Sequence, residues 1–139
     1  IYSNVDIPES ELAIIRGFDP DANTSRSLQG QSPYVLNLDV TYDNFETGTA
    51  AGLYYNLFGE RLSKVSLGGT PNVMEQPRST LDFTFSKGIG ANFGVKFSAK
   101  NLLDSPFKFV YPFKGTDFVN QEYKKGRSFS LSLSYKLGD

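Results

Sequence analysis

Two aspartates, Asp39 and Asp82, are the nearest this sequence comes to an acid–base pair. Two carboxylates held close together can divide the work of proton donor and proton acceptor between them. The chemistry available around them is thin. The 139 residues contain no histidine and no cysteine. That removes Ser-His-Asp and Cys-His catalysis, thiol chemistry and the commonest transition-metal ligand. Asp39 and Asp82 therefore read as hydrogen-bonding groups on a polar strand face, near Lys96, Lys100 and Lys136. The chain reads as a non-enzyme with no cofactor.

Two further motifs resolve the same way. Asp19-Pro-Asp21-Ala-Asn23 has the opening spacing of a calcium loop, but Thr24 replaces the glycine at position six. Gly30 stands at position twelve and brings no closing carboxylate, so the stretch is a polar loop turn without a metal. Gly88-Ile-Gly90 begins a G-x-G pattern, but Phe93 occupies the third glycine's place and no strand-to-helix transition follows. It is a hairpin turn. The basic residues Arg61, Lys64, Arg78, Lys108, Lys114 and Lys124 to Arg127 lie on or near the long loops, where cations attract anions or solvate the loops.

The elements that carry these residues are strands. Arg127 to Leu137 sets Phe129, Leu131, Leu133, Tyr135 and Leu137 against Ser128, Ser130, Ser132, Ser134 and Lys136. Alternation with a period of two makes a β-strand with one apolar and one wet face. Residues 34–42 set Tyr34, Leu36, Leu38, Val40 and Tyr42 against Val35, Asn37, Asp39 and Thr41. Residues 47–58 are less regular, with Ala51, Leu53, Tyr55 and Leu57 in phase. At 78–87, Leu81, Phe83 and Phe85 oppose Thr80, Asp82, Thr84 and Ser86; at 92–100, Phe93, Val95, Phe97 and Ala99 oppose Lys96, Ser98 and Lys100. Residues 107–113 and 118–124 pair as a β-extension. Ahead of the strands, Asp6 is placed to cap a short helix through Glu9, carrying Leu12, Ile14 and Ile15 and ending before Gly17. Ile1 to Val5 reads as the tail of an earlier strand.

Composition narrows the setting. A net charge of −1 offers no basic field for nucleic acid. No run approaches the roughly 18–20 apolar residues of a membrane-crossing helix, which leaves a barrel as the one way to span a bilayer. The first residues show neither a basic nor a hydrophobic leader region, as expected of a mature product or a piece of something longer.

The connections run short (43–46), long (59–77), short (88–91), long (102–126). Short turns at one end and long loops at the other are the pattern of an outer-membrane barrel. Tyr34 and Tyr42 lie eight residues apart on one face. At ~3.3 Å per residue that is roughly 26 Å, or about 20 Å along the normal for a strand tilted by about 40°, near the ~25 Å apolar band of such barrels. A soluble β-sandwich with aromatics in its core is the alternative, and a small structural or adhesive barrel a second one.

Several segments together resemble the C-terminal part of TonB-dependent outer-membrane receptors. They are Leu28-Gln-Gly-Gln-Ser-Pro-Tyr34, Tyr55-Asn-Leu-Phe-Gly59, Glu75-Gln-Pro-Arg78, Leu81-Asp82, Lys100-Asn-Leu-Leu-Asp104 and Tyr123-Lys-Lys-Gly-Arg-Ser-Phe129. Two departures stand out: Leu137 holds the place of a usual terminal aromatic, with Gly138 and Asp139 after it, and Phe107 replaces a common tyrosine.

The resemblance implies an all-β fold: an antiparallel up-and-down transmembrane segment of about six strands, belonging to a barrel of about 22. The plug domain would lie outside this chain, and TonB would act through that plug. It implies import of a scarce nutrient of siderophore, cobalamin or glycan type across the cell outer membrane. Leu36, Leu38, Phe83, Phe97, Leu131 and Leu133 would face lipid and lipopolysaccharide. Asp39, Asp82, Lys96, Ser98, Lys100 and Ser132 would face the lumen. Arg61, Tyr111, Phe113 and Tyr123, on the long loops, are the candidates for substrate contact.

A segment with unpaired outer strands and an apolar outer face is expected to aggregate when expressed alone. Size-exclusion chromatography without detergent tests this. A monodisperse monomer that melts cooperatively would count against a barrel segment.

Overall fold

Every alternating segment becomes a strand, and so do shorter stretches between them that show no period. The computed structural model describes residues 3–137. Along the chain come β1 (Asn4–Asp6), α1 (Glu9–Arg16), β2 (Ser25–Ser27), β3 (Val35–Asn44), β4 (Thr49–Phe58) and β5 (Arg61–Lys64). There follow β6 (Val73–Glu75), β7 (Arg78–Ile89), β8 (Phe93–Lys100), β9 (Phe107–Phe113), β10 (Thr116–Tyr123) and β11 (Ser128–Tyr135). The fold is all-β apart from one short helix. Among the described residues eleven strands form three sheets of two, four and five strands, none of them closed. The long connections fold into strands of their own, of which the pair expected at 107–113 and 118–124 is one case.

Contacts divide the chain into two compact units. One comprises Leu36–Leu57, Ser79–Ser105 and the stretch from Lys124 onward; it carries the five-stranded sheet, ordered β11-β8-β7-β4-β3. Register confirms the face assignments in three of its strands. Across β8, Phe97 stands between Phe85 and Leu131, and Val95 between Lys87 and Leu133. One position along, Ser98 stands between Thr84 and Ser130, and Lys96 between Ser86 and Ser132. Apart from Lys87 on the apolar side, apolar residues thus share one face, and hydroxyls with Lys96 share the other.

Phe83, Phe97 and Phe129 step diagonally across the apolar face, with ring centroids 6.4 Å apart at each step. Leu131 and Leu133 stand 65% and 64% exposed, and Leu36 and Leu38 are exposed as well. On the opposite face Ser98 Oγ and Ser130 Oγ lie 2.7 Å apart, and Asn56 donates to Asn37 across β3 and β4. Near the turn end of this wet face, Gly88 lies opposite Gly94, leaving a hollow of about 350 Å³ bordered by Ser132, Ser134 and Lys96.

A turn built on Asn101 ties three strands together. Asn101 has φ of 56°, a left-handed conformation that asparagine tolerates better than most residues. Its backbone N–H donates to Asp82 Oδ1 at 2.8 Å, and its side-chain amide donates to the Gly126 carbonyl at 2.7 Å. The next N–H, of Leu102, reaches the Leu81 carbonyl at 2.8 Å, while Arg127 Nε donates to the Leu102 carbonyl at 2.8 Å. Asp104, with φ of 48°, closes the turn onto the Asn101 carbonyl. Lys124 Nζ stands 3.8 Å from its carboxylate. The Leu-Asp, Asn-Leu-Leu-Asp and Lys-Lys-Gly-Arg segments, separated in sequence, meet here.

The other unit comprises the stretch up to Val35, Phe58–Arg78 and Pro106–Tyr123. It holds the ribbon β1-β2, the helix α1 and the four-stranded sheet β10-β9-β6-β5. Its core is small: Leu12, Phe58, Leu62, Val73 and Val110 are buried, Val110 to 1% exposure.

The structure also revises several boundaries. The helix is not capped by Asp6, which lies in β1 opposite Ser25. Pro8 takes the cap position instead, and its carbonyl accepts the Leu12 N–H at 2.9 Å. Part of the strand expected at Ile1 to Val5 falls outside the described residues. The turn expected at 43–46 sits two residues later: Asn44 Oδ1 receives the Thr47 N–H at 3.0 Å, and Gly48 adopts φ of 60°. Likewise Gly88 stays in the ladder, and Gly90, with φ of 62°, makes the turn after β7.

Replacing Asp82 with alanine orphans the Asn101 amide and should cost about 1–3 kcal/mol. Asn101→Ala should cost a similar amount, because it loses the Gly126 contact and forces alanine into a left-handed backbone. Asn101→Gly loses only the side-chain contact and should cost less. Urea denaturation of the purified protein carrying this chain reads the order. Equal costs for the alanine and glycine variants would remove any role for the left-handed backbone.

Candidate functional site

The loop-borne hairpin β9–β10 presents a row of rings. Phe107, Phe109, Tyr111 and Phe113 alternate along β9, so one face of the strand carries all four. Lys114 and Gly115 join it to β10 with φ of 49° and 76°. Two successive left-handed residues make the tight turn whose twist suits a hairpin. The register then sets Phe118 opposite Tyr111 and Tyr123 opposite Phe107, with a bulge between Val119 and Gln121. The rings divide into two groups.

The first group forms a ladder with two arginines. Arg61 lies 4.3 Å above the Phe58 ring, and Arg78 lies 5.4 Å from Phe58 and 4.0 Å from Phe107. Phe107 stacks on Tyr123 at 5.0 Å with planes 3° apart, and Phe109 lies 6.5 Å from Tyr123. Glu75, 6% exposed, accepts from Arg61 Nε at 2.7 Å. Arg78 Nε is buried with no hydrogen-bond partner among the described residues, so ring faces are what hold this cation. A desolvated contact of that kind is worth about 2 kcal/mol. Beside the ladder, the Tyr34 ring lies over Gly59, where a Cβ would stand 2.5 Å from a ring carbon. The Gly59 N–H donates to the Tyr34 carbonyl at 3.0 Å, and Ser32 Oγ donates to the carbonyls of both residues. The segments around Tyr34, Gly59 and Glu75 to Arg78 thus converge in one place.

The second group lines a groove of about 480 Å³. Phe18, Tyr111, Phe113 and Phe118 surround it, and the backbone of Gly68 to Pro71 closes one side. Gly68 and Gly69 have φ of 70° and 80°, and a Cβ on Gly69 would stand 2.5 Å from the Phe18 ring. Glycine is what allows that ring to rest on the loop. Phe18 and Phe118 are 59% and 55% exposed, far more than rings in a core. A second cleft of about 620 Å³ shares Phe18, Gly69 and Phe113 with the groove, and has Asp19, Asn23 and Asn72 along its wall.

The four residues expected to contact substrate separate here. Tyr111 and Phe113 come together in the groove; Arg61 and Tyr123 belong to the ladder. Phe18 and Phe118 complete the groove without having been singled out. The paired glycines Gly68-Gly69 were the available signal for Phe18, and hairpin register for Phe118. Asp39 and Asp82 do not form a pair: β3 and β7 are separated by β4, and Asp82 receives the Asn101 N–H. Among the described residues no group of three or more carboxylates gathers to hold a metal ion. Comparisons with protein-family models, with curated proteins and with solved structures return no match for this chain.

Arg61→Ala leaves the buried Glu75 carboxylate without its partner and should destabilise the protein by about 2–3 kcal/mol. The double variant Arg61→Ala/Glu75→Gln should recover part of that loss. A denaturant-unfolding double-mutant cycle measures the coupling. Strict additivity would leave Arg61 free for a ligand instead.

Proposed function

We propose that this chain is the C-terminal barrel segment of a TonB-dependent outer-membrane transporter that imports a scarce nutrient. The observation that carries the reading is the five-stranded sheet. Its apolar side chains fall in register on one face, exposed along the outer strands β3 and β11 and mostly half-buried on the inner ones, while serines, Lys96 and Lys100 occupy the other. A sheet that is apolar outside and polar inside suits the wall of a barrel between lipid and a wet lumen. The free edges at β3 and β11 are where the remaining strands of the same barrel would pair. The convergence of the receptor-like segments at Asn101 and around Gly59 gives those segments a shared structural purpose, which favours the resemblance over coincidence.

On this reading Leu36, Leu38, Phe83, Phe97, Leu131 and Leu133 meet lipid and lipopolysaccharide. Asp39, Asp82, Lys96, Ser98, Lys100 and Ser132 line the lumen and meet the plug, through which TonB acts. The groove, built from the long connections, then receives substrate. A soluble sandwich would cover its apolar face, and the 65% exposure of Leu131 counts against it. A small adhesive barrel would have to close by itself, and the five-stranded sheet has two open edges.

The chain has no cysteine, so single cysteines can report on each face. In outer-membrane vesicles holding the full-length protein, Leu131→Cys is expected to resist a water-soluble maleimide and to accept a lipid-soluble one. Ser132→Cys, one residue away, is expected to show the reverse preference. Equal reaction of both positions with the water-soluble reagent would refute a lipid-facing wall.

A further inference from the structure

We infer that the aromatic groove and its neighbouring cleft together bind a short neutral oligosaccharide. This rests on the transporter reading only for the direction in which the site opens. No charged side chain lines the groove, which offers ring faces instead; of the cations on its unit, Arg61 is tied to Glu75, and Arg78 and Lys114 lie against rings of Phe58, Phe107 and Phe113. An anionic chelate would gain little from it. Rings at such exposure are instead open platforms for a flat, weakly polar face.

The adjoining cleft supplies the complementary chemistry. Asp19 and Asn23 stand on its wall with side chains that make no hydrogen bond among the described residues. Asn72 is fixed by accepting the Ser66 N–H at 3.0 Å, which leaves its amide NH2 to donate. Arg26, also on the wall, is neutralised by Glu11. A free carboxylate, two amides and a paired guanidinium give donors and acceptors, and the one unpaired charge among these described residues, on Asp19, is negative and repels an anion.

A pyranose ring needs both surfaces. Its C–H face stacks on an aromatic ring, and its hydroxyl rim pairs with planar polar side chains. Because the two hollows share Phe18, Gly69 and Phe113, one chain of sugars can stack in the first and hydrogen-bond in the second. Their sizes, about 480 and 620 Å³, each fall within the roughly 300–1,000 Å³ of small-molecule sites.

Isothermal titration of the detergent-purified full-length protein tests this. The probes are the tetraoses of cellulose, xylan, mannan, amylose and arabinan, with a ferric tris-catecholate as the anionic comparison. At least one tetraose is expected to bind, with an affinity that barely changes between low and high salt. Phe118→Ala should weaken it about tenfold, the scale of one lost ring contact. Phe118→Tyr keeps the ring face and should retain binding, which separates stacking from misfolding. Asn23→Ala should weaken it severalfold.

Failure of all five sugars to bind overturns the inference, as does tetraose binding that survives Phe113→Ala/Phe118→Ala. Binding of the chelate alone, lost in that double variant, overturns the sugar assignment while leaving the transporter reading intact. The cysteine-labelling experiment decides that reading without any ligand.

Discussion

Register is the constraint on which the five-stranded sheet depends. Because side chains alternate with a period of two, a slip of one residue between β8 and a neighbour would turn every apolar side chain of the slipped strand to the wet face. Weak side-chain pairs along the ladder cannot prevent that alone. The Asn101 turn can. It fixes β7 through Asp82 and Leu81, and it holds the approach to β11 through Gly126 and Arg127. One left-handed asparagine thus sets the phase of three strands.

The second unit solves a different problem. With few buried aliphatic side chains, it stabilises its sheet with rings and guanidinium groups instead. Glu75 anchors Arg61 at one end of that ladder, and Tyr123 stacks on Phe107 at the other. Placing Arg61 and Tyr123 in this support leaves Phe18 and Phe118 as exposed rings, with the half-buried Tyr111 and Phe113 beside them. Two separate groups of aromatics thus share the hairpin β9–β10, one packed against arginines and one bordering the groove.

What could be read from the sequence follows from length. The five long strands each span at least eight residues, enough for alternation to declare itself, and their face assignments match the observed register where pairing is known. The strands at Arg61–Lys64 and Val73–Glu75 are too short to show a period, and pairing with β9 rather than local pattern makes them strands. The helix cap failed for a related reason: Asp6 had a partner strand 19 residues away in Ser25. Tyr111 and Phe113 were legible as loop aromatics. Phe118 was not, because its place opposite Tyr111 depends on the position of the turn, and Phe18 was not, because its neighbour Gly69 is 51 residues away.

The facing glycines at the turn end of the wet face have a mechanical consequence. Gly88 and Gly94 lie side by side across β7 and β8, and the Gly88 N–H reaches the Gly48 carbonyl at 2.7 Å. With no side chains of their own, the two glycines let neighbours approach closely, Ser134 Oγ standing 2.6 Å from where a Gly94 Cβ would be, and this corner of the sheet can coil more sharply than the serine- and lysine-bearing rows beside it. Stiffness is therefore graded along the strands. The rows next to Asn101 are locked by hydrogen bonds, whereas the opposite margin is where the sheet can twist further without breaking its ladder.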